Sequence, residues 1–530
     1  MTEAIIDVLI VGAGPVGTVL ALDLVRRGLS VRIVDKASAG FQGSRAKGVQ
    51  PRTLEVFQDL GIVDRVLAAG SDYPLLGLHL GPVTIPWRMM AHASRTTDVP
   101  YPNTLLIPQA RTDEILQSRL ESVGCSVEYG REFVDLTQNA TTVTARISGP
   151  RGNIESITAR YLVGADGGSS AVRHKLKIDF VGSTREEDRM VIADVVTTGL
   201  PRNRWHIWPG RAGQFIAACP LPHSDLFQWM IRIAPDEQPP HDVAAINERI
   251  QNRIRNRAVA LRDIRWISVF RPNIRLAKAY RVGRAFLAGD AAHAHTPAGA
   301  QGLNTGVQDA YNLGWKLGQV LAGADSSLLD SYQAERQPIA AAVLNLSTSK
   351  YEGLAKLDPS SIRRGKDEKQ LALTYRGGPL AGGPALSDTL NVGDRAPDAD
   401  LRAQDGRVVR LFETFAGPHF TAIAYGAQAG SDLELLEWPS AGAPLKRIFI
   451  NAQAFHGAGQ DFEDVAGSFR RAYGVVGASL LIIIRPDGYV GHIAAMDATE
   501  TTRLALARMI PVRGQAPTSA HAPLPLGPVQ

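Results

Sequence analysis

Cysteine is almost missing from this chain. Cys125 and Cys219 are the only two among 530 residues, far apart and without metal-ligand spacing, so neither a disulfide framework nor a zinc site is expected. The simple reading is two reduced, buried thiols in a cytoplasmic protein. Long apolar runs are missing too: none approaches the roughly 18 residues that argue for a bilayer-spanning helix. The N-terminal apolar segment, Ile5 to Val11, contains Asp7 and has no basic stretch before it, so neither secretion nor a membrane anchor is expected. A block of one charge is also lacking. Lys plus Arg number 57 against 52 Asp plus Glu, a net charge of +5, which is too mild and too dispersed for nucleic acid. A small anionic ligand is the simpler partner. At roughly 100–200 residues per domain the length suggests two to four domains.

What the chain does hold is centred on Arg284 to Lys316. The apolar run Ala285 to Ala288 ends at Gly289-Asp290, and a loop of small residues follows, with Pro297, Gly299 and Gly302. Apolar residues then recur at helical spacing through Val307, Ala310, Leu313 and Leu317. Strand, carboxylate, glycine loop and helix N-terminus in succession suit a large polar cofactor, because free amides and the positive end of a helix converge there.

The N-terminus carries a second site of the same kind. Ile5 to Val11 reads as a strand, and Gly12-Ala-Gly14-Pro15-Val16-Gly17 opens a helix with Leu20, Leu24 and Val25 on its apolar face. Leu29 to Val34 makes a second strand ending at Asp35-Lys36. In that context Gly12 permits the turn, Gly14 lets backbone approach a pyrophosphate, Gly17 lets helix pack on strand, and Asp35 binds a ribose hydroxyl. An acid there favours an unphosphorylated ribose, hence FAD or NAD in this fold.

Further along, Arg45 and Arg52 follow the fingerprint closely enough to suggest phosphate or flavin contact. Leu75 to Leu106 is irregular and apolar, with Tyr73, Trp87 and Tyr101 as a pocket wall, and Gln109 and Arg111 open a helix that could hold a cofactor. Gly164-Ala-Asp166-Gly167 repeats the strand-to-acid-to-glycine pattern of Gly289-Asp290, which suggests two carboxylates closing on one ligand. Ser169 and Ser170 could cap the helix that follows. Between Met190 and Phe270, β-rich runs such as Gln214 to Ala218 and Phe227 to Ile233 read as a separate sheet that covers substrate. Tyr332 to Pro338 starts a long helix, 358–392 reads as a linker with Gly377-Gly378-Pro379 and Gly382-Gly383-Pro384, and 512–530 as a disordered tail. Between them, strands are expected at Val408 to Phe412, Phe420 to Tyr425, Leu445 to Ile450, Leu480 to Ile484 and Tyr489 to Ile493.

The fingerprint, the Gly164 to Gly167 turn, and Gly289-Asp290 with its continuation from Pro297 to Lys316 resemble, in this order and spacing, the flavin-dependent aromatic hydroxylases of the para-hydroxybenzoate hydroxylase type. With Tyr332 to Pro338 the resemblance covers about residues 5 to 350. From Gly393 the chain resembles the degenerate thioredoxin-like domain of the phenol hydroxylase branch, which implies a dimer-forming or structural role; it has no Cys there, which rules out thiol redox chemistry. The implied fold is α/β: an FAD-binding Rossmann-like domain (1–180 and 275–357, with a substrate-domain insertion near 72–106), a β-sheet substrate domain (181–274) and a thioredoxin-like domain (393–511).

Carried over, the resemblance assigns Gly12, Gly14, Gly17 and Asp35 to the ADP half of FAD, and Arg45, Gln109 and Asp290 to its ribityl and phosphate region. Pro15, Val16, Lys36 and Gly289 flank these positions. Asp166 and Gly167 would serve FAD and NAD(P)H, and Pro297, Gly299, Gly302, Leu303 and Asn304 would face the isoalloxazine ring. Ala300 stands where many members carry glycine. The helix entered at Gly302 would stabilise negative charge on reduced flavin, and a tight Pro297 loop would help exclude water. The implied reaction has NAD(P)H reduce FAD, O2 add at flavin carbon 4a, and one oxygen pass to an electron-rich aromatic ring. Only one complete dinucleotide fold occurs, so NAD(P)H visits transiently. Pro297 and Arg45 are the expected catalytic residues beside the flavin, and Tyr73, His206 and Tyr101 are the candidates for the base that deprotonates a phenol.

Other readings remain open. His293 and His295 form an H-x-H without an evident third ligand. Trp205-His-Ile-Trp208-Pro209 is similar to the tryptophan motif of flavin-dependent halogenases, with different spacing. Baeyer–Villiger or oxidative-decarboxylating chemistry, or a FAD-loaded partner protein without turnover, would use the same cofactor motifs. The substrate, and NADH against NADPH, are not legible.

Overall fold

The computed structural model describes residues 5–210, 214–296, 300–355, 365, 367–381, 390–452, 459–494 and 499–511. Pro297, Gly299, Gly382-Gly383-Pro384 and the 512–530 tail lie outside the described residues. The chain divides into two compact units, one of residues 1–314 and 336–373, the other of 315–335 and 374–530. No helix among the described residues is long and apolar enough to cross a membrane.

The first unit is built on an eight-stranded sheet. Its parallel core runs Ala285–Leu287, Ile154–Gly164, Ile6–Val11, Val31–Asp35, Val127–Tyr129. These are near-continuous aliphatic runs, as strands covered on both faces require. Val8, Leu9, Ile10, Ile33, Val34, Leu162 and Val163 are all fully buried. Because the strands are parallel and in register, Val11 lies beside Val34 and Gly164, and Gly164 beside Leu287. Their C-terminal ends therefore share one edge of the sheet, and the segments that follow, at Gly12, Asp35, Asp166 and Asp290, open onto the same crevice.

Helices Pro15–Val25 and Gly302–Leu321 pack there. A Cβ on Gly306 would meet Val16 Cγ2 at 2.6 Å and the Gly289 Cα at 3.1 Å. Glycine at that point lets the second helix close down over the turn at Gly289.

A second, seven-stranded sheet in this unit has the order 260–270, 189–198, 226–233, 215–220, 204–209, 75–80, 83–87. The last two strands come from the irregular apolar stretch near Tyr73, joined by the parallel pairing of Leu75–Leu78 with Arg204–Ile207. One face is packed: Trp229, Ile231, Ala193, Val191 and Ala218 form a core with Ile246 and Ile250 of helix Val243–Ile254. The opposite face carries Asp194, Cys219 and Gln228 in register.

The second unit has a mixed sheet ordered 408–410, 400–403, 460–463, 445–450, 420–425, 480–484, 490–494. Phe420–Tyr425, Leu445–Ile450 and Leu480–Ile484 occupy the expected ranges. The strand expected to reach Phe412 stops at Arg410, where helix Leu411–Phe415 begins. Leu411 and Phe412 are buried, so the apolar pair that reads as strand is the inner face of a helical turn. Strands Asp400–Ala403 and Gln460–Glu463 were not expected, since each holds too few apolar residues to stand out.

Within this unit a fully buried charge cluster surrounds Glu335. Arg485 donates to both its oxygens at 2.6 and 2.9 Å, and Lys316 Nζ lies at 2.7 Å. Arg485 also bonds Asp487, which accepts from Trp315 Nε1 at 3.1 Å. Burial opposes ionisation of Glu335, yet Arg485 and Lys316 pull its pKa down to about 2. Lys316 moves down to about 8, through burial first; Arg485 holds both oxygens, so the lysine charge is the less secured of the two.

Candidate functional site

The crevice at the sheet edge fits a dinucleotide by exclusion and by invitation. Gly12 has φ +104°, and a Cβ on it would lie 2.4 Å from the Ala165 carbonyl oxygen. Gly17 would meet the Gly12 oxygen at 1.9 Å, whereas a Cβ on Gly14 meets nothing within 4 Å. Two glycines are thus forced by protein contacts, and the middle one faces open space where a pyrophosphate would approach helix Pro15–Val25. Asp35 is fixed by accepting from Ala13 N and Ala37 N, both at 2.8 Å. Lys36 is exposed beside it.

At the other end of the crevice, a Cβ built on Gly302 would stand 3.8 Å from Asp290 Oδ1 and 4.0 Å from His295 Nδ1. Asp290 has an exposed surface although protein surrounds it, the mark of a group lining a hollow. Enclosure raises its pKa, with His293 and Arg45 opposing. Both ring nitrogens of His295 are buried with no partner among the described residues, and burial holds its pKa well below the ordinary value. Polar atoms left unsatisfied around an open hollow are what a flavin's ribityl and phosphate oxygens would complete. The residues present therefore fit FAD: Gly12 to Gly17 and Asp35 would hold the ADP half, and Asp290, Arg45 and the first-turn amides of Gly302, Leu303 and Asn304 the flavin half.

Asn304 fixes the wall opposite that helix. Its amide donates to Gly48 O at 2.8 Å and accepts from Gln50 N at 2.8 Å. Gln50 in turn accepts from Thr104 Oγ1 at 2.7 Å. Behind the helix, Asp309 gathers three groups in a fully buried cluster: Gly289 N at 3.1 Å, His293 Nε2 at 2.5 Å and Arg336 Nε at 2.7 Å. Burial opposes its charge, but His293 and Arg336 lower its pKa. Asp309 thereby holds the turn that presents Asp290. Sequence reasoning passed over it, although it recurs on the helix one turn after Thr305 and its partner Arg336 stands in the Tyr332 to Pro338 motif. His293 of the H-x-H is committed to this carboxylate.

Other expected residues are placed differently. Asp166 turns one oxygen to Val172 N at 3.2 Å, at the start of helix Ala171–Lys175, where Ser170 is the N-cap and accepts from Arg173 N at 2.9 Å; its neighbour Gly167 has φ +81° and borders open space. Gln109 accepts from Ala46 N at 3.2 Å and so braces the Arg45 segment. Arg52 is buried against Glu55 at 2.7 Å, and Arg111 is exposed and paired with Glu114; neither is presented to the crevice.

Tyr73 does reach the flavin side. Its hydroxyl donates to Lys47 O at 3.3 Å, and a Cβ on Gly48 would meet both that hydroxyl and the Ala300 methyl at 2.7 Å. Ala300 itself holds φ +53°, the left-handed conformation for which glycine is suited. Tyr101 is half-buried in the segment preceding Leu105–Leu106. A small solvent-open cleft lies beside Tyr73, lined also by Arg88, Met89, Met90, Asn103 and Lys369.

His206 is corrected. It pairs across the sheet with Ala218, and Ala218 with Trp229, so it sits on the packed face. Its nitrogens contact Pro201 O at 2.8 Å and His79 at 2.9 Å, and burial lowers its pKa to about 4. The loop from Gly43 to Lys47 crosses the other face: a Cβ on Gly43 would strike Trp266, Ser44 N donates to Asp194 at 2.7 Å, and Lys47 meets Gln228 and stands 4.3 Å above the Trp205 ring.

Comparison with known proteins agrees with this geometry. Residues 5–347 match the family described as FAD binding domain. A flavin-dependent monooxygenase of Mycobacteroides abscessus is 39% identical over 94% of this chain and 99% of its own. The 12-dehydrotetracycline 5-monooxygenase/anhydrotetracycline 6-monooxygenase of Streptomyces rimosus is 35% identical over 92% and 95%. Among solved structures, the anhydrotetracycline hydroxylase OxyS from Streptomyces rimosus superposes with a TM-score of 0.74 at 30% identity, over 96% of this chain and 99% of that one. Aklavinone-11 hydroxylase, in complex with FAD and aklavinone, gives 0.79 at 25% identity, over 96% and 100%. With its glycine cradle, its two-ended crevice and a family match over most of its length, the chain belongs to the FAD binding domain family and is an FAD-dependent aromatic hydroxylase.

Proposed function

We propose that the protein hydroxylates a phenolic or polycyclic aromatic substrate with NAD(P)H and O2 as co-substrates. Bound FAD would supply the redox chemistry, taking electrons from NAD(P)H and delivering one oxygen atom of O2. The chain supplies the rest. The first-turn amides of helix Gly302–Leu321 put positive potential against the flavin half of the crevice. Asp309 and Asn304 hold the two walls of that crevice in place. The face of the seven-stranded sheet opposite its helix-packed core offers an apolar line of Ile207, Ala217, Met230 and Ile192 in register, and the cleft beside Tyr73 opens at Leu75, on a strand of the same sheet.

The single observation that carries this reading is the convergence of Gly14, Asp35, Asp290 and Gly302 on one crevice edge. Relatives acting on anhydrotetracycline and aklavinone support a fused polycyclic substrate over a single ring. The second unit is proposed to be a degenerate thioredoxin-like domain that serves in dimer formation, as its parallel pair 420–425 and 445–450 beside the hairpin 480–494 suggests. A screen of phenols and polycyclic hydroxyaromatics tests the assignment. Substrate-stimulated NAD(P)H oxidation with one 18O atom from O2 in the product is expected, and a purified protein without flavin, or flavoprotein turnover without oxygen incorporation, would refute it.

A further inference from the structure

Two of the candidates for the base are engaged elsewhere: His206 is on the packed face, and the Tyr73 hydroxyl donates to the Lys47 carbonyl. The residues that share the face opposite that core with the Gly43 to Lys47 loop are Trp205, Cys219, Gln228 and Asp194, from four adjacent strands, the last three buried beneath the loop. Asp194 is engaged by the Ser44 amide and hydroxyl, and Gln228 donates to Ser44 O at 2.7 Å while its oxygen receives Lys47 Nζ. Lys47 is half-buried and lies over the Trp205 ring, beside Cys219 and Asp194. The Trp205 Nε1 donor is buried and has no partner among the described residues. An ammonium bonded to a neutral amide, with Asp194 as its nearby carboxylate, and an unspent N–H donor thus stand together, and the segment that carries Lys47 continues directly into Gly48 and Gln50, which Asn304 binds at the flavin end of the crevice.

We infer that Lys47, with Trp205 Nε1, receives the deprotonated hydroxyl of the aromatic substrate and is the group that keeps it ionised for reaction. This assignment rests on the aromatic-hydroxylase reading above. The step is a proton transfer. The substrate O–H bond breaks, both electrons stay on oxygen, and the proton passes to solvent or to Lys47 Nζ when that amine is neutral. The resulting phenolate is more electron-rich at its ring carbons, which is what electrophilic oxygen delivery needs. Opposite charge within about 4–6 Å favours the ionised form by 1–3 pKa units. Burial lowers the pKa of Lys47 itself, with Cys219 and Asp194 opposing, which brings proton exchange with a phenol closer to balance. Gln228, uncharged, orients the ammonium without neutralising it.

The test uses alizarin, a hydroxyanthraquinone whose colour reports its ionisation, titrated with pH in the FAD-loaded wild type, Lys47→Met and Lys47→Arg. In the wild type the dye's ionisation midpoint should fall at least about one pH unit below its value in buffer. Lys47→Met should return it to the buffer value at unchanged FAD content, and Lys47→Arg should restore most of the shift. A dye whose midpoint in the wild type equals that in buffer, or a shift that persists in Lys47→Met, overturns the proposal. Flavin content and 18O incorporation, read separately, report whether the hydroxylase reading itself stands.

Discussion

At Gly12 a side chain would need to occupy the space of the Ala165 carbonyl and hold a left-handed φ at once. Gly12→Ala is therefore expected to reduce FAD affinity by at least about tenfold, through backbone strain of about 1 kcal/mol or more added to the clash, measured by flavin fluorescence titration of the apoprotein. Ala300 stands in the opposite situation: it already bears φ +53°. Ala300→Gly should be neutral or stabilising by up to about 1 kcal/mol, seen as an unchanged or raised melting temperature.

Two buried histidines set the acid limit. His206 and His492 each have a pKa lowered to about 4 from 6.5, with burial the first cause. The unfolded chain binds more protons than the folded one between these values. Stability from this source is thus complete above pH 6.5 and lost as pH falls toward 4, by up to about 3 kcal/mol per residue. Melting followed from pH 7 to 4.5 should show that loss, and His206→Phe should flatten it; an equally steep decline in the variant would contradict the assignment.

Among elements, the strand Arg204–Pro209 shows how much turns on a single step. Trp205 and His206 are adjacent in sequence and both carry suitable chemistry, yet alternation along a strand sends one to the substrate face and the other into the core. No local pattern distinguishes them, because the run Arg-Trp-His-Ile-Trp-Pro is not cleanly alternating. The glycine motifs were legible because their function is local: Gly12, Gly14 and Gly17 act within one turn, and Gly289-Asp290 follows its own strand. Lys47 was not, since its meaning comes from four strands more than 140 residues downstream in the chain. Asp309 escaped notice for the same reason, its partners lying on a preceding turn and a following helix.

The hairpin at Arg485 to Gly488 gives an element-scale prediction. Removing Arg485 leaves Glu335 and Asp487 buried beside Trp315 with only Lys316 to compensate. Arg485→Met is expected to destabilise the second unit by about 3–5 kcal/mol, read from urea unfolding of the full chain.

On the scale of the whole molecule, the residues proposed to hold the cofactor all fall within the unit of residues 1–314 and 336–373. FAD at about 1,000 times its dissociation constant should add about 4 kcal/mol to that unit. Calorimetry of the full chain is expected to show one transition rising with FAD concentration and another that does not move; a single transition rising as a whole would show that the units melt together.

The side-chain amide of Asn304 gives and takes one bond each with Gly48 and Gln50, as a neighbouring peptide would in a ladder. Helix tip and facing segment are in effect spliced into one frame. A frame of that sort does not gape like jaws, so the spacing between helix tip and facing strand is set by one side chain and would be lost with it.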